Sequence, residues 1–234
     1  MTDISSCASS APEDRTLSAA EARARMLAQV APVVGREFVP LRSALGRILA
    51  AAIVAPHDVP AHDNSAMDGY AVRFDSLVGD GETRLQVVGT AFAGSAFSGL
   101  VGKGQAVRVM TGAVLPAGAD TVVVQEVARV EDGAICVPAG QKLGQNTRRT
   151  GEDLARGAVA LAAGKRVGPA ELGLIASLGI AEVAVRRRLR VAFFSTGDEL
   201  ASIGTPLAPG QIYDANRYTL HGLLTRLGAD LIDL

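Results

Sequence analysis

The sequence predicts an α+β multidomain fold: a helical domain with an inserted all-β domain, followed by the start of an α/β domain with a parallel sheet. Helical spacing and helix-start signals occur before residue 50 and again after residue 168, on either side of short β-branched segments between residues 82 and 137. From Arg190 onward, a continuous apolar segment and a polar loop are typical of a buried parallel strand and the ligand-binding end of its sheet.

The composition indicates a soluble globular protein and argues against several classes of function. Of the 234 residues, 48% are hydrophobic and 20% are charged, and a net charge of −1 offers no basic surface to nucleic acid or a membrane. The longest apolar runs are too short to span a bilayer. Cys7 and Cys136 have neither metal-ligand spacing nor a disulfide pattern, which favours a cytoplasmic, reducing location. Residues 1–15 are rich in Ser and Ala, and we expect a disordered tail rather than a targeting peptide.

The first helix is predicted to begin at a capping box formed by Ser18 and Glu21. Apolar residues then recur every four positions until Pro32 ends the helix. Three further elements are predicted before residue 57: a short extended piece from Phe38 to Leu41, a helix from about Arg42 with Leu45, Ile48 and Leu49 on one face, and an extended segment from Ala51 to Val54.

The middle of the chain is predicted to be a compact all-β unit, either a barrel or a sandwich. Its strands are expected near residues 85–88, 105–110, 121–124 and 134–137, separated by clusters of Gly, Pro and Asp. A helix then begins at Gly168 and Pro169 and ends at Gly179, before an extended stretch. The expected boundaries are residues 16–57 with 146–186 for a discontinuous helical domain, and residues 58–145 for the inserted β domain.

The last segment, residues 187–234, is predicted to be the beginning of an α/β domain. A buried strand at residues 191–194 is followed by a polar loop at residues 195–200, which is where open α/β sheets bind their ligands. A leucine-rich helix, with Asp214 as a candidate N-cap, and the start of a second strand complete the segment. Because these elements cannot bury both faces of a sheet, we expect the domain to be incomplete.

The densest group of polar side chains lies in residues 58–73, where Pro60 and the pairs Asp63-Asn64 and Asp68-Gly69 indicate a loop rather than a helix. Polar side chains on such a loop can form a functional site. The alternative is an ordinary turn, in which Asp63 and Asn64 bond their own backbone.

Two further loops carry candidate chemistry. Met110 to Ala113 place a hydroxyl and a glycine backbone after a strand, where an anion could approach, and an ordinary Thr-Gly turn is the alternative. Asn146 to Asp153 put two arginines beside two carboxylates, and taken alone this pattern favours an exposed ion-pair cluster over a site. The arginines between Arg186 and Arg190 are interpreted as a solvated face or an interdomain contact.

These motifs resemble those of the MoeA family, the molybdopterin molybdenumtransferases whose eukaryotic relatives include gephyrin. Asp63 to Arg73 resemble the family's signature loop over eleven residues. Residues 110–113 and 146–153 resemble its Met-Thr-Gly-Ala and Asn-x-Arg-Arg-x-Gly-Glu-Asp motifs, and residues 195–200 and 210–217 resemble the opening of its molybdopterin-binding domain. The resemblance begins near residue 16, and the remainder of that domain and the family's small C-terminal β-domain are absent from the sequence.

The resemblance implies insertion of molybdate into adenylylated molybdopterin with release of AMP, and Mg²⁺ as the metal. It implies catalytic roles for Asp68, Thr111, Asp153 and Glu199. Asp68 and Glu199 are also the candidate metal ligands, because carboxylate oxygens suit Mg²⁺. The residues implied in substrate binding are Asn64, Ser65, Arg148, Arg149, Ser195, Thr196, Gly197 and Asp198.

The resemblance also implies a homodimer that associates through the helical domain. The β domain of one subunit would cover the molybdopterin-binding domain of the other, so that the site is shared across the interface. A molybdopterin adenylyltransferase is a candidate partner, whereas neither nucleic acid nor a membrane is expected. Two alternatives remain, a gephyrin-like scaffold and a catalytically dead, dimer-forming fragment, and the length of the reading frame beyond Leu234 distinguishes the enzyme from the fragment.

Overall fold

The computed structural model describes residues 17–234, so the tail expected at residues 1–15 lies outside the described residues. The described chain is mixed α/β and contains more strand than helix. Contact density divides it into two compact units. Residues 36–186 form one, and residues 17–35 with 187–234 form the other.

The described residues contain three α-helices and sixteen short strands. The helices are α1 (Ala19–Gln29), α2 (Pro169–Ser177) and α3 (Ala215–Arg226). The strands are β1 (Arg36–Pro40), β2 (Ile53–Val54), β3 (Asn64–Ser65), β4 (Gly69–Val72), β5 (Thr83–Ala91), β6 (Gln105–Val109), β7 (Thr121–Val124), β8 (Arg129–Glu131), β9 (Ala134–Val137), β10 (Thr147–Arg148), β11 (Val159–Leu161), β12 (Glu182–Arg186), β13 (Arg190–Phe193), β14 (Leu200–Ala201), β15 (Ile212–Tyr213) and β16 (Asp230–Asp233).

A curled six-stranded sheet, in the order β7-β4-β6-β5-β9-β8, dominates the unit of residues 36–186. Neighbouring strands are antiparallel except β5 and β6, which are parallel. Alternation along β4 sends Tyr70 and Val72 into one buried cluster and Ala71 into another, so both faces of the sheet are covered. Strands β5, β6, β7 and β9 lie where the sequence predicts them. The three-residue strand β8 was not predicted, because two of its residues are charged.

The segments on either side of this sheet pack on each other through strand pairs as well as helix. Strand β1 pairs with β12 and β2 pairs with β11, over a core that includes Leu49, Ile175, Leu178 and Val185. This part is therefore less helical than predicted. Contact density groups α2 with these segments and α1 with residues 187–234.

The helix predicted from about Arg42 to Leu49 is wrong. Only Leu41–Ala44 form a helical turn, of the 3-10 type, and Gly46 then takes a φ of +77° that ends it. The Leu49 N–H donates to the carbonyl of Lys165, and Leu49 forms a β-bridge with Val185. Pairing with distant strands thus overrides the helical spacing of the apolar residues.

Helix α2 follows the predicted start and stop signals. Its first residue is Pro169, and the Glu171 carboxylate accepts the N–H of Gly168 at 2.9 Å, which satisfies a donor at the helix start. Gly179, with φ of +71°, follows the last turn. Ile175 is the buried residue that anchors the helix to the core.

The unit of residues 17–35 and 187–234 contains α1, α3 and two short parallel strand pairs. Ser18 and Glu21 form the predicted capping box of α1. Strand β13 pairs in parallel with β16, α3 lies between them in the chain, and Asp214 caps α3 as predicted. Phe193 is buried, whereas α3 has no buried residue. Within residues 17–234, no helix combines the length and apolar character needed to cross a membrane.

Candidate functional site

Residues 58–68, the aspartate loop, bring two distant loops together in the unit of residues 36–186. Its strand β3 pairs with β10, which belongs to the arginine loop at residues 146–153. The Ser65 N–H donates to the carbonyl of Ala113, and the Gly112 N–H donates to the carbonyl of Ser65. These bonds attach the threonine loop at residues 110–113. Three motifs that are far apart in the sequence therefore meet at one place.

Asp68 is bonded to Thr111 through a single carboxylate oxygen. Its Oδ1 accepts the hydroxyl and the backbone N–H of Thr111, each at 2.7 Å. These two bonds, first the hydroxyl and then the N–H, hold the pKa of the Asp68 carboxyl below its ordinary value. Because both bonds go to Oδ1, the second oxygen Oδ2 can face another partner. The carboxylate is thus ionised and fixed in orientation.

The close approach of strand β7 explains why the residue after Asp68 is a glycine. A Cβ at this position would lie 2.1 Å from the carbonyl oxygen of Val123 in the neighbouring strand β7. The close approach of β7 to β4 leaves room for a hydrogen atom only. Gly69 thereby allows the sheet pairing that places Asp68 beside Thr111.

The arginine loop contains its own ion-pair network. Arg148 donates from Nε to Glu152 and from Nη2 to Asp153, both at 2.5 Å. The backbone N–H of Arg149 donates to the other oxygen of Glu152 at 2.7 Å. The Arg148 guanidinium, and after it the Arg149 N–H, hold the pKa of Glu152 below its ordinary value. Asp153 is therefore oriented by Arg148 within the loop.

The two other predicted residues of the aspartate loop are less accessible. Ser65 is buried, and its hydroxyl donates to the carbonyl of Met67 at 2.5 Å, which closes the turn ahead of Asp68. The Oδ1 of Asn64 is buried and has no hydrogen-bond partner among the described residues. It is the one buried side-chain oxygen or nitrogen of which this is true in residues 17–234. Contact of Asn64 and Ser65 with substrate stays a prediction.

Two aspartates that the sequence did not assign to the site hold the arginine loop and the residues that follow it in place. Asp63 Oδ1 accepts the N–H and the hydroxyl of Thr150 at 2.7 and 2.9 Å, and Asp58 Oδ1 accepts the N–H of Arg156 at 2.8 Å. The first pair of residues is separated by 87 positions and the second by 98. Asp63 therefore bonds a distant loop and not its own turn. No local sequence signal could have identified these partners.

The predicted residues after β13 belong to the other unit. Two of them, Ser195 and Gly197, line a cavity of about 530 Å³ together with residues that include Asp214 and Arg217. The Ser195 hydroxyl, and after it the Arg217 N–H, donate to Asp214 and hold its pKa below the ordinary value. A Cβ on Gly197 would lie 2.6 Å from a carboxylate oxygen of Glu199. Gly197, with φ of +150°, thus lets Glu199 fold over the backbone.

The predicted site residues are therefore divided between the two units. Asn64, Ser65, Asp68, Thr111, Arg148, Arg149 and Asp153 lie in the unit of residues 36–186. Ser195, Thr196, Gly197, Asp198 and Glu199 lie in the other, and the last four of these are exposed.

The carboxylates of the described residues determine whether the site suits Mg²⁺. Among the described residues, no group of three or more His, Cys, Asp or Glu side chains could hold a metal ion. Mg²⁺ is usually held by one or two carboxylates together with substrate phosphate oxygens and water. The Oδ2 of Asp68, which Thr111 does not bond, could supply one such ligand, so this residue fits a magnesium ion that the substrate also binds, whereas a complete protein cage is absent among the described residues.

The comparisons with known proteins indicate the same family as the sequence motifs. The family model described as the MoeA N-terminal region (domain I and II) matches residues 17–179. The molybdopterin molybdenumtransferase of Haemophilus influenzae is 47% identical over 215 residues, which are 92% of this chain and 53% of that protein. The molybdopterin molybdenumtransferase of a Nostoc species is 41% identical over 199 residues, which are 84% of this chain and 46% of that protein.

The solved structures that this chain resembles also include MoeA proteins. The crystal structure of the molybdopterin biosynthesis MoeA protein from Pyrococcus horikoshii matches with a TM-score of 0.80 and 35% identity, over 89% of this chain and 54% of that one. The chain thus spans about half the length of the relatives that it matches. The resemblance predicted from the motifs is confirmed, and the chain belongs to the MoeA family.

Proposed function

We propose that the protein takes part in molybdenum cofactor biosynthesis as a molybdopterin molybdenumtransferase, which inserts molybdate into adenylylated molybdopterin and releases AMP. The observation that carries the proposal is the convergence of the aspartate, threonine and arginine loops on an oriented carboxylate, Asp68. The relatives named molybdopterin molybdenumtransferase support it at up to 47% identity.

In this proposal, Thr111 orients Asp68 and keeps it ionised. A fixed anion costs no reorganisation when charge develops at the substrate, which is how preorganised groups lower a barrier. Bound Mg²⁺ would neutralise phosphate and oxyanion charge, and Asp68 Oδ2, the oxygen that Thr111 does not bond, would be available to hold it. Asp153, held by Arg148, is assigned to the same half of the site.

The loop from Ser195 to Glu199 supplies the other half of the proposed site. The cavity beside it is of a size that holds small ligands, and its lining includes Ser195 and Gly197. Glu199, exposed and folded over Gly197, is assigned to the metal or the substrate. We further propose that the two halves meet across a homodimer interface, and that a molybdopterin adenylyltransferase supplies the adenylylated substrate.

The test is molybdate-dependent release of AMP from adenylylated molybdopterin by the product of the complete reading frame. The proposal predicts AMP release that requires both molybdate and the protein. The 234-residue chain alone should be inactive, because the two-stranded β13–β16 sheet is too small to hold the pterin. A complete product that binds the substrate and releases no AMP would show that the proposed reaction is wrong.

A further inference from the structure

Asp63 and Asp68 make the same contact with two different loops. In each case one carboxylate oxygen accepts both the N–H and the hydroxyl of a threonine, Thr150 for Asp63 and Thr111 for Asp68. The two aspartates are five positions apart on the aspartate loop. Hydrogen bonds to an ionised acceptor are roughly twice as strong as neutral ones, so Asp63 fixes the arginine loop as Asp68 fixes the threonine loop.

Asp63 acts where regular pairing of the two loops ends. The β3–β10 pair covers Thr147 and Arg148 and then stops. Beyond it, the Gly151 N–H donates to the carbonyl of Pro60 at 3.0 Å. Between these contacts, the bonds from Thr150 to Asp63 hold the backbone that carries Arg149.

The two arginines of the loop differ in what they can bind. Arg148 is held by two carboxylates at 2.5 Å, and its side chain is 38% exposed. Arg149 is 73% exposed, and the distance from its Nη1 to Asp63 Oδ2 is 3.7 Å, beyond hydrogen-bonding range. The guanidinium of Arg149 therefore retains its donors for a ligand, whereas the Nε and Nη2 of Arg148 already bond carboxylates within the loop.

We propose that Arg149, and not Arg148, is the arginine of this loop that contacts the anionic substrate, and that Asp63 is a positioning residue that acts through Thr150 and Arg149. The inference rests on the proposed function, since adenylylated molybdopterin carries the phosphates that a guanidinium binds in bidentate fashion. Holding Arg149 near its binding position before the substrate arrives reduces the entropy lost on binding. Asp63 supplies that restraint from a loop 87 residues away.

The contact itself is tested by NMR on the 234-residue chain. The amide signal of Thr150 should titrate with Asp63, with a midpoint below the ordinary aspartate pKa, because the Thr150 N–H and hydroxyl, with Arg149, favour the ionised form. Hydrogen exchange at that amide should accelerate about 10- to 100-fold in Asp63→Ala, as expected on losing a bond to a charged acceptor. Asp75→Ala, which removes another exposed aspartate paired with an arginine, is the matched control and should leave Thr150 unchanged. An unaltered Thr150 amide in Asp63→Ala would overturn the positioning role.

The functional part is tested on the product of the complete reading frame. Arg149→Ala should raise the KM for adenylylated molybdopterin about 10- to 100-fold with a smaller effect on kcat, which is the signature of lost substrate binding. Asp63→Ala should raise KM in the parent and add little in the Arg149→Ala background, because both changes remove one interaction. Thr150→Ser should keep the wild-type KM and Thr150→Val should not. Thr150→Val also supplies the test if Asp63→Ala does not fold.

The outcomes separate this inference from the proposed function. An active parent with a wild-type KM in Arg149→Ala would refute the inference alone. Fully additive effects of Asp63→Ala and Arg149→Ala would remove Asp63 from the same interaction. A parent that releases no AMP would refute the proposed function and the substrate contact together, whereas the Thr150 amide would still decide whether Asp63 holds the loop.

Discussion

Replacing Gly69 by alanine should destabilise the β sheet that carries Asp68. The added Cβ would lie 2.1 Å from the Val123 carbonyl oxygen and 3.0 Å from the Val124 Cα, and both atoms belong to the backbone of β7. No side-chain rotation can relieve this contact, so β4 and β7 must separate. Overpacked cores typically lose about 1–3 kcal/mol. Because the obstacle here is backbone, we expect a loss of about 3 kcal/mol, at the upper end of that range.

Thermal unfolding measures this loss. At about 2–4 °C per kcal/mol for a chain of this size, Gly69→Ala should lower the Tm by roughly 6–12 °C. Gly79→Ala is the matched control, since a Cβ there meets no atom within 4 Å. The control should stay within about 0.5 kcal/mol of the parent. Equal Tm values for Gly69→Ala and Gly79→Ala would refute the explanation of the Asp-Gly sequence at the site.

Four further variants have defined outcomes. Asp68→Asn and Glu199→Gln keep side-chain shape and remove charge, so each should still fold and should reduce molybdate-dependent AMP release about a hundred- to a thousandfold, and near wild-type turnover would remove that residue from the site. Gly173→Ala, in an exposed part of α2 with no atom within 4 Å of the new Cβ, should raise the unfolding free energy by about 0.5–1 kcal/mol in urea denaturation, and a decrease would contradict the helix geometry. The lowered pKa values of Asp63 and Asp68 mean that their contribution to stability is complete above the unfolded aspartate pKa of about 3.9 and is lost as the pH falls through the folded values. Acid unfolding of a double Asp→Asn variant should therefore be less steep below about pH 4 than that of the parent.

Features set by neighbouring residues were predictable from the sequence. The capping box of Ser18 and Glu21, the Pro169 start of α2 and its Gly179 end depend on residues within a few positions of one another. The β-branched strands of the central sheet were likewise identified from composition and spacing. In these segments the local preference and the tertiary contacts favour the same conformation, which is why the prediction succeeded.

Features set by distant contacts were not predictable. Ile48 and Leu49 have helical spacing with Leu45, yet they pair with Arg166 and Val185 across more than a hundred positions. Asp63 has the composition of a turn residue, and only the folded chain brings Thr150 to its carboxylate. The motif match identified Asp68 and Thr111 separately, whereas the shared oxygen that joins them is a result of the fold.

The central proposal is that the Asp68 half and the Glu199 half form one site across a dimer interface. Mixing two inactive variants within one dimer tests it most directly. Asp68→Asn and Glu199→Gln proteins, each nearly inactive, are unfolded together in equal amounts and refolded, and AMP release is measured. If the halves come from different subunits, about half of the dimers are hybrids, and each hybrid has one intact site, so about a quarter of wild-type activity should return. A mixture of verified hybrid dimers that is no more active than its parents would contradict the claim.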